Sequence, residues 1–341
     1  MICASLVASG ILCDASAHPI LIPTTPMASK NPPKSNTRLE KLAKEFYDYL
    51  LIEKNRSQRT KVNYEHYLRR FLEHARVSDP KDITLDRVRA FRIHLHESPG
   101  ANGKPLKKQT QLYHLIALRN FLKYLAKRDI ETLSPEKIEL GKAPARSIQF
   151  MDGGELERLL GSPKENTLRD LRDRALLQTL FSSGVRVSEL ASLNRDSIDF
   201  SRGEFTVRGK GDKYRIVFLS DSAKGALKEY MKKREDVDEA LFAAIPKNAS
   251  FSKKDDLRLT TRSIERILKK HAARAGIAKK VTPHSLRHQF ATDLLRNGAD
   301  IRSVQALLGH SHITTTQIYT HVTDEALREV HKKFHDKTNQ A

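Results

Sequence analysis

Thr282-Pro283-His284-Ser285-Leu286-Arg287-His288-Gln289-Phe290-Ala291-Thr292 is the stretch on which the reading of this chain turns. Proline suits the first position of a helix, and Phe290, Leu294 and Leu295 continue the apolar spacing of one. His284, Arg287 and His288 then stand at i, i+3 and i+4 and share a face. A helix start adds free backbone amides and the positive end of the dipole, so this face suits an anion. Alone, the pattern equally describes a polar surface with a capping histidine. It gains weight from residues elsewhere. Gly309 reads as a helix stop, His310 follows it, and Tyr319 lies nine residues beyond. Arg186 sits in Gly184-Val185-Arg186-Val187-Ser188-Glu189-Leu190, and Lys210 follows 24 residues later between two glycines.

Upstream, Phe205 with Val207 and Ile216 with Phe218 show period-two alternation across Gly209-Lys210-Gly211-Asp212, which predicts a β-hairpin with Lys210 at its glycine-rich tip. Leu168, Leu171, Ala175, Leu176 and Leu180 form a helical stripe before it, and helices resume after about Thr260. Asn297-Gly298 is a second helix stop. The amino-terminal half reads as four helices. Their stripes are Leu39, Leu42, Ala43, Phe46 and Leu50; then Tyr64, Tyr67, Leu68, Phe71 and Leu72; then Leu85, Val88, Phe91 and Leu95 after a capping Thr84; then Leu112, Leu115, Leu122 and Leu125. Ser98 to Gly103 breaks the third from the fourth, which opens on Lys104, Lys107 and Lys108, a cluster suited to phosphate contact. The expected organisation is a leader or mis-called start at 1–36, a helical domain at 37–140, a linker at 141–147, a second domain at 148–335 and a tail at 336–341.

The 341 residues hold 61 lysines and arginines against 41 aspartates and glutamates, a net charge of +20. That excess points to a polyanionic partner. The two cysteines, Cys3 and Cys13, both lie in the leader, which excludes a disulfide framework or a cysteine zinc site for the folded body. No apolar run reaches the ~18 residues of a membrane span, so no membrane is expected as a partner. Residues Ile2 to Leu12 are apolar but lack the basic start of a secretory signal.

Taken together, these boxes resemble the tyrosine recombinases, or phage-type integrases, and most closely their Xer branch. The carriers are Gly184 to Leu190, Gly209-Lys210-Gly211-Asp212-Lys213, His284 to Thr292, Leu307-Leu308-Gly309-His310-Ser311 and Thr315-Thr316-Gln317-Ile318-Tyr319-Thr320-His321. The resemblance implies a mainly α fold: a four-helix SAM-like core-binding domain, then a mixed α+β catalytic domain with a small antiparallel sheet, the two gripping duplex DNA as a clamp.

It also implies roles. Tyr319 attacks a phosphodiester, giving a 3′-phosphotyrosine and a free 5′-hydroxyl. Arg186 and Arg287 present planar forks of donors to the charge gathering on the non-bridging oxygens, and His310 adds a further hydrogen bond. Lys210 is the acid for the leaving 5′-oxygen, with Lys213 as its rival, and His284 handles the tyrosine proton. Glu189 supports Arg186, and His288 supports the histidine face. His312 and His321 read as structural or exposed, and Tyr214 and Tyr230 lack the basic surroundings of a nucleophile. The scheme calls for no metal and no cofactor. Implied partners are an inverted-repeat DNA site, a homotetramer or a heterotetramer with a related recombinase, and a DNA translocase or accessory factor. A last helix, capped by Thr323 or Asp324 and carrying Leu327, Val330 and Phe334, would dock on a neighbouring protomer. The expected setting is cytoplasmic, at the nucleoid. Two other classes compete: a non-catalytic DNA-binding protein, which the complete set of six residues disfavours, and a type IB topoisomerase, which the Xer-like boxes disfavour.

Overall fold

The computed structural model describes residues 37–100, 103–141, 150–164, 166–209, 213–245 and 257–309. Lys210, His310, Tyr319, His312, His321, the leader and the last helix fall outside the described residues. Chain contacts divide the protein into two units, Met1–Arg146 and Ser147–Ala341.

Among its described residues, four α-helices build the first unit: α1 (Arg38–Ile52), α2 (Gln58–Ala75), α3 (Leu85–Glu97) and α4 (Lys108–Ala126). Side chains at their starts supply acceptors that the backbone lacks. Thr37 forms a capping box with Glu40, Ser57 accepts from the Thr60 amide, and Thr84 accepts from the Arg87 amide. The stripes turn inward as their spacing predicts. Leu39, Phe46, Leu68, Phe71, Phe91, Leu95, Phe121 and Leu122 are almost wholly buried in one cluster, each contributing on the order of 1.5–3 kcal/mol by burial. Leu85, which the third stripe included, is 37% exposed because it opens its helix at the edge of that core. α4 has Lys107 at its cap with no side-chain cap bond, and no acidic residue in its first turn.

The second unit is organised around α6 (Leu168–Ser183), buried over most of its circumference, as expected of a helix packed on several sides. α8 (Asp221–Lys232) and α10 (Pro283–Arg296) pack on it. Between α6 and α8 run the short α7 (Val187–Ala191) and the strands β1 (Ile198–Asp199), β2 (Glu204–Arg208) and β3 (Tyr214–Phe218), antiparallel in the order β1-β2-β3. Helices α5 (Gly153–Leu160), α9 (Thr261–Arg274) and α11 (Ile301–Leu308) complete the described part.

The hairpin corrects one detail of the sequence reading. Phe205 and Val207 face the core, but on β3 it is Val217 that is buried, while Ile216 and Phe218 are 54% and 53% exposed. The register sets Phe205 opposite Val217 and Val207 opposite Arg215. Paired residues share a face and side chains alternate, so odd-numbered residues of β3 point inward.

Three turns in this unit position the site. Thr282 caps α10 through a capping box with Ser285, and Pro283 occupies the first helical position. Gly309 ends α11 in the left-handed conformation, with φ +63. Gly184 ends α6 at φ +58, and a Cβ there would stand 2.3 Å from the Phe290 ring of α10. α6 and α10 therefore approach so closely at this point that only glycine fits. Gly184→Ala should cost at least roughly 2–3 kcal/mol, combining backbone strain with a clash. Gly298→Ala, also at positive φ (+89) but meeting nothing within 4 Å, should cost only about 1 kcal/mol. Denaturant unfolding of the two variants measures the difference, and equal losses would contradict the close approach.

Candidate active site

Arg186 follows Gly184 and Val185 after the end of α6 and stands as the cap of α7. One turn on, the buried Glu189 carboxylate turns back towards it. Its Oε2 accepts from the Arg186 amide at 2.8 Å and its Oε1 from Arg186 Nη1 at 2.9 Å. The same carboxylate meets a second guanidinium, from β3. Arg215 Nη1 donates to Oε1 at 2.9 Å and Nη2 to Oε2 at 2.8 Å, the two-pronged geometry that fits a carboxylate best. Each Glu189 oxygen thus receives one bond from each arginine.

A third arginine converges from α10. Arg287 is 4% exposed; its Nη1 donates to the Gly184 carbonyl at 2.5 Å and its Nη2 to the Leu308 carbonyl. The three arginines meet at the end of α11. Arg215 Nε donates to the Leu307 carbonyl at 3.1 Å, Arg287 takes that of Leu308, and Arg186 Nη2 reaches that of Gly309 at 3.4 Å. The Gly309 amide itself bonds back to the helix carbonyls of Gln305 and Ala306. Three successive carbonyls at a helix end, where backbone acceptors lack partners, each face a guanidinium.

On α10, His284 is exposed and His288 buried. Their rings lie edge to face at 4.1 Å between centroids, with the two Nε2 atoms 2.7 Å apart, so one ring donates to the other. His284 and Arg287 share this helix face, and Arg186 reaches the same helix end as Arg287. The structure therefore brings together Arg186, Glu189, His284, Arg287 and His288. Lys213 is exposed immediately before β3. Lys104, Lys107 and Lys108 belong to the other unit, where all three are exposed around the start of α4.

The model of the phage integrase family matches residues 149–326, and that of the phage integrase N-terminal SAM-like domain matches residues 43–129. The tyrosine recombinase XerD of Oceanobacillus iheyensis is 35% identical over 308 residues, 88% of this chain and 99% of that protein. The chain belongs to the phage integrase family. The tyrosine recombinase XerC of Syntrophus aciditrophicus is 36% identical over 312 residues, covering 88% of this chain and 98% of its own. Among solved structures, the XerH site-specific recombinase bound to palindromic difH substrate has a TM-score of 0.63 at 23% identity, over 86% of this chain and 83% of that one. The Tn1549 transposon integrase with transposon right-end DNA has a TM-score of 0.63 at 21% identity, over 86% and 99%. These last two likenesses concern the fold.

For a phage integrase family member, the residue that the boxes did not single out is Arg215. A trace of it is present in the sequence. Arg215, Val217 and Leu219 share one parity of β3 and its exit, so a charge occupies a core-facing position beside two apolar residues. Once Val217 is placed inward, Arg215 has to find an anion inside.

A second buried polar group lies away from these arginines. Asp170, Asp173 and His271 stand close enough to share an ion. Asp173 already receives Arg172 at 2.7 Å and His271 Nε2 at 3.0 Å, and His271 Nδ1 meets Ser162 Oγ at 2.9 Å. Arg274 lies 3.7 Å from Asp170. With these side chains engaged, the cluster is a polar brace between α6 and α9.

Burial pushes the Glu189 carboxyl up, but the Arg215 hydrogen bonds and charge, with the Arg186 amide and charge, outweigh it and hold the pKa at about 2. A carboxylate depressed in the folded state stabilises above its unfolded pKa, near 4.3, and loses that contribution as pH falls towards the folded value. Glu189→Gln should therefore be less stable than wild type by roughly 3 kcal/mol near neutral pH. The gap should narrow progressively below about pH 4.5. Urea unfolding of both proteins across that range measures it, and a gap of constant size would show that the charge on Glu189 is not what matters.

Proposed function

We propose that Tyr319 of this chain attacks a DNA phosphodiester held by Arg186 and Arg287, and stores the broken end as a 3′-phosphotyrosine for rejoining to a new partner. The chain is a site-specific tyrosine recombinase of Xer-like kind. The observation that carries the mechanistic reading is the docking of Arg186 and Arg287 on adjacent carbonyls, Gly309 and Leu308. Two cations from sequence positions 101 apart are set at the mouth of the segment that runs on to His310 and Tyr319. Guanidiniums fixed before the reaction stabilise charge on a phosphoryl group without reorganising during it.

In this reading His310 donates to a non-bridging oxygen and His284 takes the tyrosine proton. Lys210 protonates the 5′-oxygen as it leaves. The bond energy is kept in the phosphotyrosine, so resealing needs no nucleotide. His288 holds the His284 ring through the contact between their Nε2 atoms. The helical unit at 37–140 contributes to DNA binding, with Lys104, Lys107 and Lys108 meeting phosphates at the uncapped start of α4. The second unit, at 148–335, carries the chemistry.

The substrate is duplex DNA bearing an inverted repeat. Protomers act as a tetramer, either of this chain alone or shared with a related recombinase. The biological role that fits an Xer-like enzyme is resolution of chromosome dimers, with integration or excision of a mobile element as the other reading. The neighbouring genes separate the two, and a short inverted repeat with a central spacer near the gene would mark the target site. No helix among the described residues is long and apolar enough to cross a membrane, and we place the enzyme in the cytoplasm with the DNA it acts on.

Incubated with a nicked duplex carrying its site, without divalent metal and without ATP, the protein should form a covalent DNA complex that Tyr319→Phe lacks. Arg186→Ala and Arg287→Ala should each slow its formation by at least roughly 10²-fold. Site-specific binding with no covalent species would instead favour a DNA-binding protein without catalysis. Replacing Lys104, Lys107 and Lys108 by alanine should lower the slope of log affinity against log salt by up to about 0.9 for each phosphate that is no longer neutralised. An unchanged slope removes these lysines from the interface.

A further inference from the structure

We infer that Arg215 is a positioning residue for strand cleavage, holding Glu189 against Arg186 and fastening the β2–β3 hairpin to the last turn of α11. This rests on the recombinase reading above.

Three observations converge on it. First, Arg215 uses its whole guanidinium internally: Nη1 and Nη2 on the two oxygens of Glu189, Nε on the Leu307 carbonyl. Its side chain is only 12% exposed, so this is not a surface ion pair. Second, it bridges the three segments that have to agree for cleavage to occur. Glu189 sits on α7 beside Arg186. Arg215 itself sits on β3, five residues after Lys210 on the same hairpin. Leu307 lies three residues before His310 on the chain that continues to Tyr319. Third, the opposing backbone makes room for it. A Cβ at Gly309 would stand 3.0 Å from Arg215 Cδ and 3.2 Å from its Nη1. Glycine at 309 therefore serves both the left-handed turn and the passage of this side chain.

The physical role follows from the charge count. Glu189 is a buried carboxylate between two guanidiniums. With Arg215 present, its four bonds are shared equally, and Arg186 gives it one backbone and one side-chain donor. With Arg215 removed, the carboxylate loses half its donors in a buried setting. It then either takes up a proton or closes further on Arg186, drawing that guanidinium away from the phosphate. In both cases the Leu307 carbonyl also loses its partner, and the helix end that leads to His310 is no longer fixed. Lysine cannot restore the arrangement: its single ammonium does not span two carboxylate oxygens and a carbonyl.

The test uses the full chain and a nicked duplex carrying its site, with single-turnover cleavage followed at saturating protein. Wild type must first give a covalent complex that Tyr319→Phe lacks; if it does not, the recombinase reading itself fails before Arg215 is at issue. Arg215→Lys, Arg215→Met and Arg215→Met combined with Glu189→Gln are then compared with Arg202→Ala, an exposed arginine in the β1–β2 turn. The double variant removes both charges together, so it reports even if the single methionine variant fails to fold.

The expected result for each folded Arg215 variant is DNA affinity within about twofold of wild type and a cleavage constant down by roughly 10–100-fold. Arg202→Ala should match wild type in both. Arg215→Met should in addition show a pH dependence of cleavage, absent from wild type, that follows ionisation of Glu189, and the double variant should lose it. The proposal is overturned if the folded variants cleave at the wild-type rate. It is overturned equally if cleavage falls only in proportion to DNA binding or to the folded fraction, because a purely structural arginine behaves that way.

Discussion

The Glu189 carboxylate is the point from which the rest of this site is set. An ionised carboxyl buried in protein is costly unless every lone pair is matched by a donor. Here four donors from two arginines match it, and each arginine then sends one further donor, Arg215 Nε and Arg186 Nη2, to the end of α11. The arrangement turns an electrostatic liability into a rigid frame. Removing either cation leaves an unbalanced buried charge rather than a simple gap. Orientation of Arg186 is thus tied to the stability of the unit, which is how its guanidinium comes to be held in one direction.

The helix end that receives the arginines is part of the same balance. α11 directs its carbonyls, and the negative end of its dipole, towards three guanidiniums that would otherwise repel one another. A small apolar cluster of Ala291, Leu295, Val304 and Leu308 fixes α11 against α10. The close approach of Gly184 to Phe290 fixes α10 against α6. Each arginine therefore rises from an element whose placement is decided by packing, and the polar network joins elements that the core has already brought close. Packing sets distance and hydrogen bonding sets direction.

What the sequence disclosed follows that division. Helix stripes, caps and stops are local: Thr84 and Gly309 act within a few residues, and both stand where their neighbours imply. The separate helices and the hairpin were legible for the same reason, and the family resemblance supplied the mainly α fold with its small antiparallel sheet. The inward face of β3 was not, because Ile216 and Phe218 are as apolar as Val217, and only pairing with β2 decides which parity is buried. Arg215 was hidden with it, since its role depends on that parity and on two distant partners. Arg287 was legible as a cation on a helix face, but not as a buried one aimed at the carbonyls of Gly184 and Leu308.

Burial also separates the two tasks that a DNA-cleaving enzyme must perform. The lysines around the start of α4 are exposed, so their charge acts at long range and is screened by salt. Glu189, Arg215 and Arg287 are shielded by protein, where mobile ions scarcely reach. Ionic strength therefore acts on the exposed charges of the proposed DNA contacts, while the frame around Arg186 stays constant. An enzyme that holds a broken DNA end needs that separation. Grip must loosen for partners to exchange, whereas the groups that reseal the strand have to keep their positions throughout.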